Sequence, residues 1–208
     1  IIEQKDELQA AIEGKGRLLY LTRLAKKTRR GDLSLLVHMN KPEEMAEYIA
    51  NRLSKIEGVT SVWGINLFKP IFYPLPRDTK RFKRFTITIN SVPQLTSEVY
   101  EAIAETTPPE GMIKSYLTYT FSSFRETVQF SLLAENDVQV DNYINGPISQ
   151  MPGVRRTHIF PIEMTKPLVS YDEWKEYSKT HSIVPSWDDK HMVKQFEDWC
   201  KAGVPGRN

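Results

Sequence analysis

The residues of this sequence best suited to binding chemistry are arginines beside candidate turns. Arg30 and Arg125 stand 95 positions apart, in two stretches that share one pattern. Two guanidinium forks grip a carboxylate in a fixed plane, so such a pair suits an anionic small molecule. Gly31-Asp32 follows Arg30, and an aspartate beside a turn glycine suits an amine. Arg30, Gly31, Asp32 and Arg125 therefore form the candidate ligand-binding set. Surface arginines and a solvated aspartate are the plainer alternative. Lys26, Lys27, Arg29 and Arg30 crowd one tip; Arg77, Lys80, Arg81, Lys83 and Arg84 form a second basic cluster, with Phe82 and Phe85 between them. Of these, Lys26, Lys27, Arg29 and Arg81 are the candidates for contact with nucleic-acid phosphates. Solvated loops are the alternative, because the chain as a whole is nearly charge-balanced.

Other chemistry is sparse. The histidines are His38, His158, His181 and His191, and none stands in a metal-binding spacing. The one cysteine, Cys200, makes neither an intrachain disulfide nor a thiolate zinc site. There is no glycine-rich phosphate loop, no nucleophile elbow and no clear triad. No catalytic residue, metal or cofactor is predicted. One alternative stays open. His38 and His158 fall on predicted strands in different halves, and either could serve as axial ligand or acid in a haem enzyme. A packed or surface histidine is the plainer reading.

Composition sets the frame. The chain has 208 residues, 40% of them apolar, with 28 basic against 26 acidic side chains. That is enough apolar surface for a real core. No run approaches the roughly 18 apolar residues of a membrane span, and the start of the chain does not read as a signal peptide. A single cysteine fits a reducing, cytoplasmic compartment. Because residue 1 is Ile, a further segment is expected upstream.

The elements that must position these residues come from an internal repeat. Residues 1 to about 67 align without gaps on a stretch 95 positions later, with Gly16/Gly111, Tyr48/Tyr143, Ile49/Ile144 and Gly58/Gly153 among the identities. Met45, Tyr48, Ile49, Leu53 and Ile56 recur as Val140, Tyr143, Ile144, Ile148 and Met151, one face of a helix in each half. Gly146-Pro147 predicts a kink in the second of these helices. Leu33, Leu35, Val37 and Met39 alternate as a strand does, and Val128, Phe130, Leu132 and Ala134 match them. Helices around residues 2–13 and 94–107 and strands over 17–24, 112–119, 84–91 and 155–164 complete the pattern.

The fold class read from this is α+β: two tandem ferredoxin-like βαββαβ repeats, with a C-terminal helical extension. The first repeat takes residues 1–74, its opening strand expected upstream of Ile1; a linker spans 75–83, the second repeat 84–167 and the extension 168–208. The strands read as apolar on both faces, so the two sheets are expected to pack face to face as an α/β barrel.

The stretches RRGDLSLLVHMNKPEEMAEYIANRLSKIEGVTSVWGINL and ETVQFSLLAENDVQVDNYINGPISQMPGVRRTHIFPI resemble the effector-binding domain of the Lrp/AsnC (leucine-responsive/asparagine) regulators. The hairpin-tip motif of that family stands here as Gly31-Asp32-Leu33-Ser34, with Glu126-Thr127 at the second tip. The resemblance implies a dimeric α/β barrel, a small-molecule effector such as an amino acid, homo-oligomers, and DNA binding through an upstream winged helix-turn-helix. On that basis the chain is expected to be a non-catalytic sensing module. A haem or tetrapyrrole enzyme of the same architecture, or a nucleic-acid or protein adaptor, is the alternative.

Overall fold

The structure is a computed structural model and describes residues 3–28, 31–73, 81–122, 125–168, 173 and 176. Helix α1 (Lys5–Ala10) leads into the hairpin β1 (Gly16–Thr28) and β2 (Gly31–Met39), then α2 (Pro42–Asn51) and β3 (Ile65–Phe72). The second half runs β4 (Lys83–Ser91), α3 (Thr96–Glu105), β5 (Met112–Ser122), β6 (Val128–Ala134), α4 (Asp137–Tyr143) and β7 (Val154–Pro167). Apart from Leu168, Glu173 and Glu176, the predicted C-terminal extension lies outside the described residues.

Local chemistry explains the helix boundaries. Pro42 opens α2, where its missing amide hydrogen costs nothing, with Glu43 and Glu44 in the first turn. The Asn136 side chain caps α4 by accepting from the Gln139 N–H at 3.0 Å. In place of a sharp kink, α4 continues as a π turn, Ile144–Ile148, that holds Pro147. The Ile144 carbonyl accepts from the Ser149 N–H at 2.9 Å and the Ser149 hydroxyl at 2.6 Å. The wider turn absorbs the proline, and Ile144 and Ile148 both stay fully buried.

The seven strands of the described residues form one sheet, in the order β2-β1-β7-β4-β6-β5-β3. Every pairing is antiparallel. This corrects the expectation of two separate sheets packed face to face. The hairpin of the first half is bonded to β7 through Tyr20–Leu24, and β3 is bonded to β5 through Ile65–Phe72. The sheet is continuous because strand edges of one half find edges of the other, which satisfies backbone groups that separate sheets would leave open.

The helices cover one face. Phe85, Ile87 and Ile89 of β4 and Phe130 and Leu132 of β6 pack with Val99, Ile103, Val140, Ile144 and Ile148 from α3, α4 and the π turn. A smaller cluster joins Leu8 and Ile12 to Leu18, Leu21 and Tyr48. In both, the period of two along strands meets the period of 3.6 along helices.

Candidate functional site: a buried polar sheet face

The side of the sheet turned away from α1–α4 carries a polar row where the second half dominates. Thr88 of β4 is opposite His158 of β7 and Gln129 of β6; Thr86 is opposite Phe160 and Ser131. Residues directly opposite share a face, so Arg84, Thr86 and Thr88 lie together with these neighbours. The sheet curls around this face. Arg84, Thr88, Thr118, Thr120, Ser131, Thr22 and Thr165 are each less than a tenth exposed. The expectation that both sheet faces are apolar holds in part here: Leu133, Tyr116 and Ile162 are buried on this face beside the polar row. An arginine and a row of hydroxyls occupy positions that an ordinary core would fill with Val or Ile.

Hydrogen bonds tie part of the row together. Arg84 Nη1 donates to Thr165 Oγ1 at 3.5 Å, and Thr165 Oγ1 is 3.4 Å from Thr22 Oγ1. Thr118 Oγ1 donates to the Phe68 carbonyl at 2.8 Å. Two hydroxyls differ: Thr88 Oγ1 and Thr120 Oγ1 are buried with no hydrogen-bond partner among the described residues. Glu126, at the β5–β6 turn, is a third kind of group: a carboxylate only 5% exposed.

A second polar cluster lies under α3. Lys114 Nζ donates to the Ile103 carbonyl and, at 2.8 Å, to the Ala104 carbonyl; it also sits 4.6 Å from the Tyr73 ring centroid. These carbonyls belong to the last turn of α3, where a cation offsets the negative end of the helix. Burial lowers the Lys114 amine to about 8. It pushes the Tyr73 and Tyr143 phenols up to about 12, and Tyr100 rises as well. Tyr100 stacks on Tyr119 with 3.9 Å between ring centroids. The carbonyl pair accounts for Lys114 as a helix cap, so this cluster serves the fold.

The residues singled out in the sequence are scattered. Arg29 and Arg30 lie outside the described residues. Gly31 opens β2 opposite Thr28, and Asp32 is exposed. Lys26 and Lys27 belong to β1. Arg125 is exposed in the β5–β6 turn with φ +61°. The hairpin with Gly31 and Asp32 and the hairpin with Arg125 are separated in the sheet by β7 and β4. Arg81 is exposed, 3.6 Å from Glu135 and 4.9 Å from the Phe82 ring centroid. Arg84 does not share that solvated setting: it is 5% exposed, inside β4. The signal for this was present, since Arg84, Thr86 and Thr88 alternate with Phe85, Ile87 and Ile89. Nothing in the local sequence marks Glu126 as buried.

The two strand histidines do not meet. His38 is opposite Arg17 on β1, whereas β7 meets β1 at Leu24↔Ile162, and His158 lies four residues beyond Ile162. That places them about eleven residues apart along the sheet, roughly 36 Å at ~3.3 Å per residue. Of the two, only His158 stands beside a buried hydroxyl, that of Thr88.

No protein-family model and no curated protein matches the sequence. Among solved structures, the chain is similar to an anthrone oxidase-like protein, at 9% identity over 81% of this chain and 87% of that one, with a TM-score of 0.46. It is similar to a variant chlorite dismutase from Candidatus Nitrospira defluvii, at 13% identity over 85% and 84%, with a TM-score of 0.45. It is also similar to a candidate monooxygenase from Lactobacillus acidophilus, at 11% identity over 81% and 86%, with a TM-score of 0.42. The expectation of a non-enzyme is corrected against these names, all of enzyme type. The Lrp/AsnC resemblance rests on the sequence pattern alone. Among the described residues no helix is long and apolar enough to cross a membrane.

Proposed function

We propose that this chain is an enzyme that takes a small anionic organic molecule onto the buried polar face of its curled sheet. Arg84 holds the negative charge, and the hydroxyl of Thr88, on the same face of the same strand, completes the grip. The observation that supports this reading is the pair of buried hydroxyls without partners. Each such group costs about 1–3 kcal/mol relative to a satisfied one. A valine would fill the same space without that cost, and ligand oxygens on this face would remove it. His158, opposite Thr88, is the side chain there whose ordinary titration range lies near neutral pH, so it is the candidate acid or base.

A tetrapyrrole is the particular ligand to test first. Its carboxylates ask for a guanidinium and a haem iron asks for an imidazole. Arg84 and His158 lie four residues apart in level on neighbouring strands, roughly 13 Å. Haemin titration is expected to give a saturable Soret shift that His158→Ala abolishes and His38→Ala leaves intact. A shift unaffected by His158→Ala would remove the tetrapyrrole reading.

The wider reading has its own test. Thr88→Val keeps the shape and deletes the hydroxyl. It should raise the melting temperature of the ligand-free protein, and it should cancel the stabilisation given by small carboxylates, phenols or quinones. A destabilised Thr88→Val variant, with no ligand in such a panel protecting the parent chain, would count decisively against an enzyme site on this face.

A further inference from the structure

The outer strands of the sheet, β2 and β3, each have one edge without a strand partner among the described residues. Directions alternate through all six pairings, so β2 and β3 run the same way. A single added strand running the other way would therefore be antiparallel to both. The chain carries its own template for that place. The 95-residue offset sets β2 against β6 and β3 against β7, and in the second half β4 is the strand between β6 and β7. By that offset, a strand bonded to both β2 and β3 would be the counterpart of β4.

Both rims present exposed apolar side chains. Leu33 is 44% exposed, Ile65 46% and Phe68 55%. Protein edges are usually blunted by charge, proline or a bulge. On β3 that device stands at Lys69-Pro70, where the strand slips its register against β5 and Lys69 takes φ +46°; on β2 it is the exposed Asp32 near the start of the strand. Among the described residues, Ile65–Phe68 of β3 and Leu33–Met39 of β2 have no strand on their outer edge.

We propose that β2 and β3 together receive one extended peptide strand of β4-like sequence, apolar at alternate positions, which closes the sheet at eight strands. Backbone hydrogen bonds to both edges would supply affinity, and the alternating side chains would supply register. The proposal stands apart from the enzyme reading, because it concerns the sheet edges rather than the buried face.

The test uses the 208-residue chain and a fluorescent peptide of residues Lys83–Ser91, KRFTITINS. Saturable binding is expected, at least about tenfold tighter than a scrambled peptide of the same composition. Amide exchange should slow in residues 31–39 and 65–72 together. Ile65→Lys combined with Phe68→Lys should weaken binding at least about tenfold while the unfolding midpoint stays put, since both side chains are half-exposed. No binding, equal binding of the scrambled peptide, or protection of one edge alone would overturn the proposal. So would a concentration-dependent dimer that the same two substitutions dissolve, because a second copy would then hold the edge.

Discussion

The two halves of the chain share one apolar pattern and bury it to very different depths. In the second half Val140, Tyr143, Ile144 and Ile148 are all nearly inaccessible; their counterparts Met45, Ile49 and Leu53 are only partly buried, and Tyr48 alone is fully so. Phe130 is fully buried, and its counterpart Leu35 is not. Helix chemistry does not account for this, because α2 carries the same face as α4. The difference lies in the sheet beneath. In the second half β4 runs between β6 and β7 and contributes Phe85, Ile87 and Ile89 to the core. In the first half no described strand runs between β2 and β3, so α2 packs on a narrower floor. Burial of an amphipathic helix is set by what lies opposite it.

The largest expected effects come from paired cavities. Phe130→Ala should cost about 3–5 kcal/mol in urea unfolding, and Leu35→Ala less than half of that. Equal losses would mean that the halves are equally packed, and the comparison would fail. The capping glycines sharpen the same contrast. A Cβ at Gly153 would lie 2.8 Å from Leu95 Cβ, whereas at Gly58 it would meet nothing within 4 Å; φ is positive at both. Gly58→Ala should cost roughly 1 kcal/mol of backbone strain, and Gly153→Ala about 2–3 because the clash adds to it.

A smaller effect separates the halves by pH. The Lys114 amine, lowered by burial to about 8, binds fewer protons in the folded chain than in the unfolded one above that pH. Stability should therefore rise from pH 8 toward 10, by a few degrees in melting temperature, and Lys114→Met should flatten that slope. Near pH 10 the buried tyrosines begin to oppose it: their raised values make the folded state hold protons that the unfolded state loses. The smallest effect is at the helix starts. Asn136 caps α4, whereas Lys41, extended at the corresponding place before α2, offers no side-chain acceptor. Lys41→Asn should stabilise the chain by up to about 1 kcal/mol, and Asn136→Ala should cost a similar amount. Thermal scans of the two variants check both signs.

Much of the fold was legible because it follows from periodicity. The positions of β4, α3, β5, β6 and β7 emerge from alternation, from helix-period faces and from Gly111 and Gly153 at turns. Pro147 was legible as a disturbance, though not as a π turn, since that outcome depends on Ser149 reaching Ile144 five residues back. The candidate site was harder to read. Arg84 looks like one more member of a basic cluster until strand pairing sets it beside Ile162 and Leu133. His38 and His158 look equivalent until the register separates them. Glu126 stands among polar neighbours with no pattern to mark its burial.

Local pattern was therefore enough for the elements, their order in the second half and the repeat that relates the halves, because side-chain period and turn chemistry act over a few residues. Joining both halves into one sheet, burying a polar row inside it and placing β2 and β3 at the ends of the strand order depended on which distant strands pair. Pairing is settled by backbone groups competing for partners across the whole chain, and no short stretch of sequence records the outcome of that competition.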